Sequence, residues 1–182
     1  MKKLKKNNRG FTLTELIVAT AILGIIAAAT SAFMAAGART YSSVSYSIRL
    51  QYEAQLVMAQ LQEYAVDCAD GIAWDDALPW DEDAKILYIV NGTDVHLFKF
   101  DSETGSLSYA EVSKADELNE GSIIYELTAE HIADMDVTLD DGQAVITLQM
   151  QRNSKTYSAT QIIALRNRPE HATSWVTLKS KI

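Results

Sequence analysis

The feature that most constrains this chain is Leu16–Ala38, LIVATAILGIIAAATSAFMAAGA, 23 consecutive residues without a charge. As a helix, at about 1.5 Å rise per residue, the stretch is about 35 Å long, enough for a hydrocarbon layer of about 30 Å. Lys2, Lys3, Lys5, Lys6 and Arg9 precede it with no acidic residue among them. That one-sided basic flank keeps the amino end in the cytoplasm and puts the remainder outside. An ordinary signal peptide or a plain anchor would account for this much, and Ala35-Ala36-Gly37-Ala38 could pass as a signal-peptidase site.

Neither reading accounts for the junction Gly10-Phe11-Thr12-Leu13-Thr14-Glu15. A carboxylate at the edge of an apolar helix is costly unless it has a partner. Cutting the chain after Gly10 creates one, because the new amino terminus at Phe11 is four residues from Glu15, one helical turn away. A neighbouring helix lying alongside could offer its own terminus in the same way. Glycine at position 10 lets a protease approach the backbone without a side chain in the way.

These residues resemble the class III signal of type IV pilins and type II secretion pseudopilins. The shared pattern is a short basic leader, Gly10, the aromatic Phe11, Glu15 as fifth residue after the cut, and a long Ile/Leu/Ala helix with Gly24 within it. Thr14, where an aliphatic residue is commoner, and Ala32, where many pilins have proline, depart from it. The resemblance implies that a prepilin peptidase cleaves between Gly10 and Phe11 and methylates the Phe11 amine. It also implies that Glu15 neutralises a neighbour's terminus during assembly while the apolar helices bundle. The implied partners are other pilins or pseudopilins, the prepilin peptidase, the inner-membrane assembly platform and the membrane itself.

Beyond the membrane stretch, Leu50, Ala54, Val57, Leu61, Tyr64 and Cys68 recur at spacings of three and four, a one-sided stripe that continues the helix, with Gly71 as its stop. From Lys85 the period changes to that of strands: Lys85–Val90 and Val95–Phe100 about an Asn91-Gly92 turn, Leu107–Val112, Ser122–Leu127, a short segment around Ile132, Asp136–Leu139, Ala144–Met150 and Thr156–Leu165. The expected class is α+β, one long helix packed on an antiparallel sheet of about six strands. The expected divisions are a leader (1–10), a membrane and filament-core helix (11–38) and an outer domain (39–182) whose amphipathic helix half runs over 39–70. This layout, ending in Leu165-Arg166-Asn167, resembles minor pilins of the PilW kind and pseudopilin J. The expected function is therefore a minor subunit that starts or caps a pilus, a secretion pseudopilus or a DNA-uptake filament. The alternatives are a major pilin or an anchored extracytoplasmic binding domain.

The remaining motifs argue against other classes. A composition of 48% hydrophobic and 22% charged residues is that of a globular chain. Without residues 1–10 the chain has 11 basic against 24 acidic side chains, so its general surface repels phosphate backbones and no direct nucleic-acid binding is expected. The acidic stretch 67–83 offers Asp75, Asp76, Asp81 and Asp83 as candidate calcium ligands, but its spacing is not that of an EF-hand. The preferred reading there is a solvated loop and no cofactor, with Trp74 and Trp80 either covering the core or gripping a partner. His96, His131 and His171 have no metal-ligand spacing, and Cys68, the single cysteine, reads as a small buried apolar group. No catalytic motif is present, so no enzymatic activity is expected.

Overall fold

The computed structural model describes residues 10–75, 84–113 and 123–180. The fold is α+β: among the described residues a 54-residue helix, α1 (Leu13–Val66), precedes nine strands and a short helix. Two compact units share the chain, Met1–Val44 and Ser45–Ile182.

In the first unit every described side chain up to Ser42 is exposed, Phe11 and Phe33 by 80% or more. α1 is the one described helix long and apolar enough to cross a membrane. Its hydroxyls need no outside partner: Thr20 donates to Leu16 O at 3.0 Å, Thr30 to Ile26 O at 2.8 Å and Ser31 to Ala27 O at 2.8 Å. Donors satisfied within the helix are what a hydrocarbon environment requires.

In the second unit the predicted stripe is the buried face of α1. Leu50, Ala54, Val57 and Leu61 are at most 1% exposed, Met58 and Ala65 join them, and Tyr64 packs against the same cluster. The strands are β1 (Gly71–Asp75), β2 (Ala84–Asn91), β3 (Asp94–Asp101), β4 (Ser106–Ser113), β5 (Glu126–Ala129), β6 (Ile132–Asp140), β7 (Gln143–Arg152), β8 (Lys155–Ala164) and β9 (Glu170–Ala172), followed by α2 (Trp175–Lys179). They form two sheets rather than the single one expected. One has six strands in the order β5-β4-β3-β2-β1-β9, and the other three, β6-β7-β8. All pairings are antiparallel except β1 with β9.

The stripe of α1 meets Ile72, Trp74, Leu87, Ile89, Phe98, Phe100 and Leu107 of the larger sheet, and Met135, Ile146, Leu148 and Ile163 of the smaller, in one core. A second cluster, with Ala73, Ile86, Tyr88, Val95, Leu97 and Leu178 of α2, covers the other face of the larger sheet. Strand β2 therefore reads as a nearly unbroken apolar run, because both of its faces are buried.

Several local expectations are corrected. The helix stops at Val66, and Gly71 opens β1, with Ile72 and Trp74 on the α1 side and Ala73 on the other. The β2–β3 loop is Gly92-Thr93, since Asn91 pairs with Asp94 within the ladder. Only Gly92 of these has positive φ, +63°, the requirement of a turn with glycine at its first central position. Asn91 is held in the strand because its Oδ1 accepts from Ala69 N at 3.1 Å. The segment around Ile132 and Asp136–Leu139 are one strand, β6, interrupted by a bulge between Ile132 and Asp134. The strand expected over 122–127 is β5, starting at Glu126.

Candidate functional site at the head of the long helix

Gly10, Phe11 and Thr12 lie before the first turn of α1, and all three are exposed. A Cβ built on Gly10 meets nothing within 4 Å. The peptide bond between Gly10 and Phe11 is thus outside hydrogen-bonded helix and open to approach. The first helical bond follows, Leu16 N to Thr12 O at 3.2 Å.

Glu15 is partnered by Thr12. Its Oε2 accepts from Thr12 N at 2.9 Å and from Thr12 Oγ1 at 2.9 Å, while its own N–H donates to Thr12 Oγ1 at 3.3 Å. This is a capping box, with Thr12 at the N-cap and Glu15 three residues on, each side chain serving the other's backbone N–H. In the uncut chain the Phe11 nitrogen is an amide without charge, so the ion pair expected of Glu15 has no cation until Gly10 is removed. The capping pattern Thr-x-x-Glu before an apolar run is legible in the sequence, and the partner it gives Glu15 is Thr12 rather than Phe11. Phe11, Thr14, Glu15, Val18, Ala19 and Ile22 line an open, mostly apolar groove along one side of the helix.

The other candidates fall elsewhere. Asp75 is the last residue of β1, while Asp76, Asp81 and Asp83, with Trp80, lie outside the described residues. No three His, Cys, Asp or Glu side chains among the described residues are grouped to hold a metal ion. Trp74 is 7% exposed and part of the core. Cys68 is fully buried, its Sγ donates to Gly71 O at 3.1 Å, and burial pushes the thiol up to about 11. His96 packs tilted against Tyr64, ring centroids 4.4 Å apart, and its Nδ1 is 2.9 Å from the Tyr109 hydroxyl, which donates to Glu111 at 3.2 Å. Burial holds the His96 imidazole below its ordinary value, against the opposing charges of Glu111 and Asp94.

The Arg166-Asn167 pair has a structural task that the sequence did not disclose. Arg166 N donates to Val66 O at 3.2 Å, and Asn167 Nδ2 donates to Asp67 O at 3.3 Å and Cys68 O at 3.2 Å. The Arg166 guanidinium contacts Asp67 at 2.6 Å. Carbonyls at and just beyond the end of α1, where no local glycine closes the helix, are satisfied from the far end of the domain.

The sequence profile of the prokaryotic N-terminal methylation motif matches residues 5–31. No curated protein and no solved structure gives a significant match to the chain. The matched segment covers the basic leader, the open Gly10–Phe11 bond, the capped glutamate and the first part of the apolar helix. The chain therefore carries the class III signal of type IV pilin-like proteins, which marks it as a membrane-anchored substrate of prepilin peptidase.

Proposed function

We propose that the chain is a minor pilin or minor pseudopilin, a structural subunit that helps start or cap a filament. Prepilin peptidase cuts between Gly10 and Phe11 and methylates the new amine. The anchor holds the subunit in the cytoplasmic membrane, amino end inside and domain outside, until the assembly platform draws it into the filament. There Glu15 exchanges its Thr12 partners for the Phe11 ammonium, its own or a neighbour's, while the apolar helices bundle. The observation that carries the reading is the coincidence, within residues 5–31, of the methylation motif with an exposed Gly10–Phe11 bond immediately ahead of a capped apolar helix. The minor role is supported by the closing Leu165-Arg166-Asn167 segment and by a single cysteine, which excludes the internal cysteine pair that many major pilins use.

Mass spectrometry of the native protein tests the processing step: the N-terminal peptide should begin at Phe11 and carry one methyl group. A start at Met1 or near Arg39 would overturn the reading. Quantifying the tagged chain in sheared filaments tests the role, with the chain expected far below the principal subunit in amount. Finding it as the bulk protein would make it a major pilin.

A further inference from the structure

Strand β8 is the last strand of the three-stranded sheet, and among the described residues no strand pairs with its outer edge. It is ten residues long, whereas the end strands of the larger sheet have four and three. Its register with β7 runs unbroken from Arg152↔Lys155 to Gln143↔Ala164, so no bulge turns the edge away. The two-residue loop Asn153-Ser154 makes Arg152 and Lys155 a hydrogen-bonded pair, so the backbone groups of Thr156, Ser158, Thr160, Ile162 and Ala164 point outward. All five residues are exposed, Ile162 by 68%, and none is charged or proline. Along these five positions the edge has no charge, proline or bulge to protect it.

Charge says what such an edge would accept. Of the chain's 24 acidic side chains, 22 lie between Ser45 and Asp141, whereas Gly142–Pro169 has none and carries Arg152, Lys155, Arg166 and Arg168. These cations bracket β8, two at each end, with Arg166 also paired to Asp67 and Arg152 also over the Tyr46 ring, so Lys155 and Arg168 carry most of the selection. Pairing of β8 with a second copy of itself in antiparallel fashion would set Lys155 against the partner's Arg166 and Arg168, a like-charge contact that disfavours it.

We propose that the outer edge of β8 is a docking site for an extended strand of a different protein chain, about ten residues long, neutral in its middle and acidic at both ends. The main-chain ladder supplies the contact and the end charges select the partner. The site is separate from the head of α1, so it stands or falls independently of Glu15.

The test uses the full chain in detergent micelles and hydrogen exchange. The probes are two ten-residue peptides with the same alternating Val/Thr centre, one with glutamates at both ends and one with lysines. The acidic peptide should slow exchange of the Thr156, Ser158, Thr160, Ile162 and Ala164 amides by about tenfold or more, less so as salt is raised. The lysine peptide should not. Ser158→Pro removes an outward N–H at a position where an edge strand tolerates proline, so it should abolish the effect while β7 amides stay protected. Cancelling the bracket with Lys155→Glu and Arg168→Glu should abolish the preference for the acidic peptide. Equal protection by both peptides, or none by the acidic one, overturns the proposal. So does protection of the same amides that rises with protein concentration alone, which would make the occupant a second copy.

Discussion

Gly105 is where the two sheets are held together through the backbone, and replacing it by alanine should cost more than its conformation alone explains. Gly105 closes the β3–β4 turn with φ +64°, its N–H donates to Asp101 O at 2.9 Å and its carbonyl accepts from Ile132 N at 2.9 Å. Ile132 opens β6 of the other sheet and is 2% exposed. A Cβ at Gly105 would stand 2.8 Å from Ile132 O, backbone that cannot swing aside. Positive φ in alanine costs about 1–2 kcal/mol, and forcing the Ile132 peptide away breaks the bond between half-buried Gly105 and buried Ile132 at about 1–3 kcal/mol. The expected loss is therefore about 2–5 kcal/mol. Gly92→Ala is the comparison, with φ +63° but open space around its Cβ, so only the conformational cost of about 1–2 kcal/mol applies. Urea and thermal unfolding of the 45–182 unit, followed by circular dichroism, would measure both. Roughly 3–5 °C in midpoint is expected per kcal/mol for a unit of this size. If Gly105→Ala proves no costlier than Gly92→Ala, the contact with Ile132 does not bind the sheets and the reasoning fails.

Three further outcomes follow from the described geometry. Because burial lowers the His96 imidazole in the folded state, the unfolded chain takes up its proton first as pH falls. The stability this contributes is complete above about pH 6.5 and is lost as pH falls through the lower folded value; the unfolding midpoint should drop over that window, His96→Gln should flatten the drop, and an unchanged slope would show that His96 is not its source. The Cys68 thiol, buried and raised to about 11, should react with a thiol reagent in the native chain only at the rate of unfolding; prompt labelling would contradict its burial. Glu15→Ala should leave cleavage after Gly10 and membrane insertion intact but reduce recovery of the subunit with filaments, and undiminished recovery would remove Glu15 from assembly.

What could be read from the residues alone was whatever one local pattern decided. The stripe from Leu50 to Leu61 located the buried face of α1 because a helix with one packed side leaves a 3.6-residue trace. The methylation motif over residues 5–31 was equally legible, since Gly10, Phe11 and Glu15 are each unusual in their places. What escaped was decided by distant partners. Nothing in Glu170-His171-Ala172 announces a strand, because β9 is three residues that pair with β1. Gly71 looked like a helix stop, yet α1 ends at Val66, where a local bond from Cys68 N to Ala65 O is joined by the distant Arg166 N on Val66 O. The Asn91-Gly92 pair was the right turn with the wrong centre, shifted by one residue because Asn91 is committed to Ala69. The division into two sheets depends on which strands neighbour each other in space, and alternation along single strands does not specify that.

The closure of α1 also sets an order of events in time. Cys68 and Asn167 are 99 residues apart, so at about 5–20 residues per second a growing chain waits roughly 5–20 seconds between making the end of the helix and making its cap. β1 waits as long for β9. During that interval β1 can pair with β2, but its other edge and the carbonyls of Val66, Asp67 and Cys68 lack their final partners. The end of α1 is therefore completed by residues made 99 positions later, and a chain that terminates before Arg166 would keep its apolar helix and most of its strands yet lack these contacts.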